Sequence, residues 1–180
     1  MVEAIAKLFD FLNDCWEDIL PYFVVPQTQR AVVMRNGVFA KEAGPGPHLK
    51  MPKIFSLGDE VSYVDVITET TETDPQSLTT LDGYEIVVST IIKHRVSDPK
   101  TYLLDVFDVK SAIVDITMSK VKKNVMARTW EECKEDSLDN EIAKQTRVEA
   151  KKWGVHIEYV TVVNLAKMRS LRLISNNPFQ

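Results

Sequence analysis

The chain has 180 residues, 44% of them apolar and 27% charged, with a formal net charge of −4 and a pI near 5.4. That composition fits one globular domain, or two tightly joined subdomains, able to bury about 70% of the unfolded surface. The acidic balance argues against nucleic acid as a partner, since phosphate backbones need a positive surface; Lys120, Lys122, Lys123 and Arg128 read instead as the solvated face of a helix.

Residues 1–20 have the pattern of an amphipathic helix. Ile5, Leu8, Phe9, Leu12, Trp16, Ile19 and Leu20 recur at i, i+3/i+4 spacing and form one apolar stripe, widened by Phe11 and Cys15. The opposite face carries Glu3, Lys7, Asp10, Asp14, Glu17 and Asp18. Charges within the stretch interrupt any secretory leader pattern. The longest charge-free run, Ile19–Gln29, is eleven residues, against the roughly 20 needed to span a bilayer. Pro21 ends the predicted helix and Tyr22–Val25 leads into the strand region; Phe23 is a candidate membrane or partner contact alongside the stripe, and residues 1–23 form the first expected unit.

The next stretch, 24–52, opens at Pro26 and runs through Ala31–Met34, a short strand. Asn36-Gly37 is a hairpin signal, because both residues tolerate the positive φ of a tight turn, and Val38-Phe39 starts the returning strand. Pro45, Pro47 and Pro52 then exclude a helix and hold the chain extended. Gly44 and Gly46 alternate with those prolines, which leaves few N–H groups to cradle an anion.

Val61–Ile67 and Thr68–Thr73 read as extended, broken by Asp74-Pro75. Leu78–Leu81 and Tyr84–Val96 flank Asp82-Gly83 and predict a second hairpin. Asp98-Pro99 has the form of a helix start, a capping carboxylate before proline, giving a short helix over Pro99–Asp105. Longer helices are predicted over Lys110–Arg128 and Ser137–Trp153, the latter capped by Ser137 and stopped by Gly154. Val155–Asn164 alternates as a last strand. Hairpins first and helices afterwards give an α+β fold.

Several of these pieces occur in an order that resembles the SPFH, or band-seven, domain of stomatins, prohibitins and flotillins. That family opens with a "VP-x-x-x-RAVV-x-R-x-G-x-F" pattern, here Val25-Pro26, Arg30 to Val33, Arg35, Gly37 and Phe39. A "GPG-x-H-x-K-x-P" segment follows, here Gly44-Pro45-Gly46, His48, Lys50 and Pro52. Thr79 to Tyr84 with Gly83, Ser97-Asp98-Pro99 and Trp153-Gly154-Val155 come in the family's order. The resemblance covers roughly residues 24–166. It implies structural roles for Pro26, Arg30, Gly37, Gly44, Pro45, Gly46, His48, Pro52, Gly83 and Gly154, and leaves 167–180 as a short tail without the family's long coiled coil.

No catalytic constellation is expected. Serines and histidines are present, but none sits in a nucleophile setting. Cys15 and Cys133 form no CxxC pair, and His48, His94 and His156 have no ligand spacing, so neither a metal nor a cofactor is expected. The resemblance implies a non-enzymatic scaffold on the cytoplasmic face of a membrane, assembled as a homo-oligomer, ring-like in form. Its partners would be the lipid bilayer surface and membrane proteins, proteases among them. A soluble adaptor using the same fold is the alternative. The helix stripe fits either, through Ile5, Leu8, Phe9, Leu12, Trp16, Ile19, Leu20 and Phe23. The seven stripe side chains from Ile5 to Leu20, removed from water, would supply on the order of 10 kcal/mol before ordering costs, although the acidic face disfavours an anionic bilayer. Leu171, Leu173 and Ile174 are further candidate contacts.

Overall fold

The computed structural model describes residues 21–52 and 58–168. The helix expected over 1–20 and the tail residues Leu171, Leu173 and Ile174 lie outside the described residues. The chain divides into two compact units; among the described residues the second is built from 69–94, 108–151 and 157–168.

The first unit begins with β1 (Tyr22–Val25), β2 (Gln29–Arg35), β3 (Val38–Ala43), β4 (Gly46–Leu49) and β5 (Asp59–Asp65). β2 lies between β3 and β5, all antiparallel, while β1 pairs with β4 as a two-stranded ribbon. Asn36 and Gly37 take φ of 51° and 78°, the double positive φ that a two-residue hairpin turn requires. The returning strand runs to Ala43 rather than stopping at Phe39. Lys41 and Glu42 are exposed, so the apolar pattern ends before the backbone pairing does. A register shift at Val33/Met34 absorbs the irregularity.

Side chains alternate across a strand, and that alternation builds the unit's core. Phe23 and Val25 from β1 pack with Ala31 and Val33 of β2 and with Ala43 of β3, and Val61 joins them. Phe23 is therefore not part of a helix stripe: it is 7% exposed on a strand that starts at Tyr22. A unit boundary at 23/24 would cut through that strand. Short helix α1 (Pro99–Leu104) packs against β2 and starts as expected, with the Asp98 carboxylate accepting from the N–H groups of Lys100 and Thr101.

The second unit centres on β8 (Glu85–Val96). β6 (Glu69–Glu72) and β7 (Gln76–Thr79) pair successively along it, and β9 (Val155–Lys167) pairs with it as well. β9 runs antiparallel to β8, since Lys93 meets Glu158, Ser89 meets Asn164 and Glu85 meets Met168. The break at Asp74-Pro75 is pinned by Thr73, whose hydroxyl lies 3.0 Å from that of Thr90 and accepts the Thr90 N–H at 2.9 Å. Ile86, Val88 and Ile92 are fully buried on alternate positions of β8. Helices α2 (Val109–Met126) and α3 (Asp136–Ala150) pack on each other and contribute Ile113, Val121, Val125, Leu138 and Ile142 to the buried set.

Ser137 is not the cap of α3. The helix begins at Asp136, Glu135 occupies the capping position without a side-chain cap bond, and Ser137 instead donates to Glu135. The chain enters from a single 3-10 turn at Glu132–Lys134. There the Thr129 N–H donates to Glu132 at 2.8 Å.

Candidate interaction surface

The ribbon β1–β4 has two faces, and the pairing register decides what each presents. Tyr22 opposes Leu49, Phe23 opposes His48, and Val24 opposes Pro47. Phe23 and Val25 turn inward. His48 joins them: its ring lies 5.5 Å from that of Phe23, and its Nε2 sits 2.7 Å from the Gly44 carbonyl oxygen. The outward face is Tyr22, Val24 and Leu49, which are 53%, 58% and 74% exposed, with Pro47 beside Val24 and Met51 just beyond. Several apolar side chains held side by side on a rigid ribbon form a patch, which isolated exposed residues do not. Lys41 sits at its rim, its Nζ donating to the Leu49 carbonyl at 3.1 Å. β1 and β4 pair only with each other, so their outer edges lack a ladder partner, and this face suits contact at the headgroup level and not insertion into the hydrocarbon core.

The remaining expected structural residues support the ribbon or the rest of the first unit. Pro26 accepts the Gln29 N–H at 3.1 Å and turns the chain from β1 into β2. Arg30 lies over Gly44, where a Cβ would come within 2.9 Å of its Nη1. Pro45 and Gly46 lead into β4, and Pro52 follows Met51 at the edge of the described residues. The Met51 N–H donates to Asp59, whose carboxylate takes a fork of bonds from Arg35 at 2.7 and 3.1 Å. The Arg35 guanidinium holds the Asp59 carboxyl below its ordinary range, against the opposing effect of burial.

Gly154 closes the first unit. Its φ is +70°, and a Cβ there would collide with the backbone of Asp98. Its carbonyl accepts from the N–H groups of Ser97 and Asp98 and from the Ser97 hydroxyl at 2.8, 3.0 and 3.0 Å. In the second unit Gly83, at φ +81°, ends a turn in which its N–H donates to Thr80.

Other reactive groups are placed without converging. Burial pushes the His94 pKa down, and its Nε2 lies 3.1 Å from the Thr71 hydroxyl. Cys133 is a buried thiol whose pKa burial raises. Among the described residues no group of three His, Cys, Asp or Glu could hold a metal ion, and no helix is long and apolar enough to cross a membrane.

Two hairpin-built sheets, one covered by helices and one by a ribbon with an apolar outer face, define an α+β domain suited to surface contact. The chain belongs to the SPFH domain / Band 7 family, whose sequence model matches residues 23–167. It is 22% identical over 153 residues to an uncharacterised protein of Archaeoglobus fulgidus, covering 84% of this chain and 60% of that protein. It is 26% identical over 141 residues to human stomatin-like protein 1, covering 76% of this chain and 34% of the relative. A shorter match, 28% over 93 residues, is to protein HflC of Vibrio cholerae, covering 48% and 27% of the two chains. The chain thus spans about a third to three-fifths of these relatives' lengths over the longer matches.

Proposed function

We propose that this chain is a non-enzymatic, membrane-associated scaffold of the stomatin and prohibitin type. In this reading it is peripheral or monotopic at the cytoplasmic face and assembles with copies of itself, in a ring-like form, to organise membrane or partner proteins, proteases among them. The carrying observation is the outward face of the β1–β4 ribbon, Tyr22, Val24 and Leu49, with Met51 beyond it. A ribbon of this kind can seat its apolar side chains at the headgroup boundary, where tyrosine is favoured. The apolar stripe expected over residues 1–20 precedes the ribbon directly in sequence and is a second candidate contact. Each copy would bind weakly, and many copies in one assembly would multiply the attachment. Residues 1–20 then act as the membrane-facing segment and 22–167 as the folded domain.

A second reading, a soluble adaptor, is favoured by one observation: Leu103 and Leu104 of α1 are exposed and Phe107, just after it, is fully exposed. Protruding aromatic and aliphatic side chains of this kind anchor protein partners. Liposome flotation separates the readings. The intact chain floats, a chain lacking residues 1–20 floats less, and the Val24→Asp/Leu49→Asp variant loses most of what remains. Equal recovery of all three at the bottom of the gradient contradicts the membrane reading, while mass photometry showing monomers at every concentration contradicts assembly.

A further inference from the structure

The first unit contains a cleft of about 450 Å³ lined by Arg30, Glu42, Val66, Arg95, Ser97 and Pro99. Its two arginines arrive from distant parts of the chain. Arg30 sits on β2, and the absence of a side chain at Gly44 lets its guanidinium lie against the backbone there. Arg95 comes from the end of β8. Two other arginines are engaged, Arg35 with Asp59 and Arg147 with the carbonyls of Ile157 and Glu158, while Arg128 has a buried Nη1 without a hydrogen-bond partner. Arg30 and Arg95 have no ion-pair or hydrogen-bond partner among the described residues. Glu42 is the one acid in the lining.

Two guanidiniums sharing a concave site repel each other and make the local potential positive, although the chain as a whole is acidic. Val66 and Pro99 give the cleft apolar walls, and low-dielectric walls focus such a field. Guanidinium forks match the tetrahedral oxygens of phosphate and can bind them in pairs. The Ser97 hydroxyl already donates to Gly154, so its oxygen is left as an acceptor. Ser97 and Glu42 therefore suit a donor group, hydroxyl or ammonium, carried next to a phosphate. We propose that this cleft binds a phosphate group through Arg30 and Arg95. The group is either that of a soluble phosphate compound or that of a lipid headgroup. The assignment does not depend on the apolar ribbon.

Amide NMR of the 180-residue chain titrated with inorganic phosphate tests it directly. Saturable shifts are expected at Gly44, Val96 and Ser97. Arg30→Gln and Arg95→Gln each weaken binding about tenfold, and Glu42→Gln tightens it about threefold by removing the opposing charge. Arg30→Lys keeps the charge and, if folding is intact, retains part of the affinity. A second arm compares vesicles of phosphatidylcholine with and without phosphatidic acid. An increment from phosphatidic acid that the arginine variants lose identifies a headgroup. Saturable phosphate binding without that increment identifies a soluble phosphate ligand. No saturable shift at these amides, or shifts unchanged in both arginine variants, overturns the proposal. Loss of flotation in Val24→Asp/Leu49→Asp with phosphate binding intact would fault only the ribbon.

Discussion

The two units bury one face of a small antiparallel sheet with different covers. In the second, α2 and α3 lie over the sheet and take its large aliphatic side chains out of water. The edge of β9 is engaged as well: Arg147 caps two of its carbonyls, and Asp139 accepts the Val162 N–H at 3.1 Å. Side chains that occupy an edge strand's backbone groups block pairing with another chain. Two exposed tyrosines also have lysines over their rings, Lys167 at 3.3 Å from Tyr84 and Lys93 at 5.6 Å from Tyr159. In the first unit the sheet is covered by the ribbon β1–β4, which is apolar on both faces. Only one of those faces can be buried against β2 and β3. The other remains at the surface, and contact with a bilayer would account for it.

This contrast can be broken most severely at Gly154. Gly154→Ala forces a Cβ against the Asp98 backbone at a positive φ, where strain and steric overlap act together. We expect a loss of about 3 kcal/mol or more, read as a lower midpoint in denaturant. Hydrogen exchange should show the loss first at the amides of Ser97 and Asp98, which donate to the Gly154 carbonyl. A variant as stable as the parent would mean that this junction does not hold the first unit together.

The smaller contrast is in pH dependence. In the first unit Asp59 has a folded pKa below its unfolded value of about 3.9. The stability it contributes is complete above that value and is lost as pH falls through the folded pKa. In the second unit burial lowers the His94 pKa below its unfolded value of about 6.5. The folded state then holds fewer protons, so stability is retained above about 6.5 and declines as pH drops below it. Asp139, pushed up by burial, opposes this only near and below its raised value. Exchange protection at β8 should therefore begin to fall as pH drops below about 6.5, before that of β2, and His94→Gln should remove this early step. Simultaneous loss in both strands would contradict the assignment.

Much of the fold can be read from the chain because its turns and caps are local. Asn36-Gly37 and Asp98-Pro99 each specify their geometry through neighbours only a few residues away, whereas Gly154 reads locally as a helix stop but meets Asp98 from a distant part of the chain. The expected family residues also follow from physical demands: Gly44 makes room for Arg30, and His48 packs on Phe23 while reaching the Gly44 carbonyl. The outer ribbon face is different. Tyr22 and Val24 alternate with Phe23 and Val25, but all four are apolar, so the alternation carries no contrast in polarity. Their exposure follows only from pairing with 46–49. The Arg30–Arg95 cleft was equally hidden, since no sequence spacing links two arginines brought together by β2 and the end of β8.

The proposed contact of the outward β1–β4 face with a bilayer would set it apart from the helix-covered unit, which would stay in water. It is tested most directly by site-directed spin labelling in a Cys15→Ser background, with nitroxides at Leu49→Cys or Val148→Cys and vesicles present. Leu49 and Val148 are both exposed apolar positions, one in each unit, so exposure alone cannot separate them. Power saturation should show the label at 49 accessible to oxygen and shielded from a water-soluble nickel chelate, and the label at 148 the reverse. Equal, water-like accessibility at both positions would contradict the account.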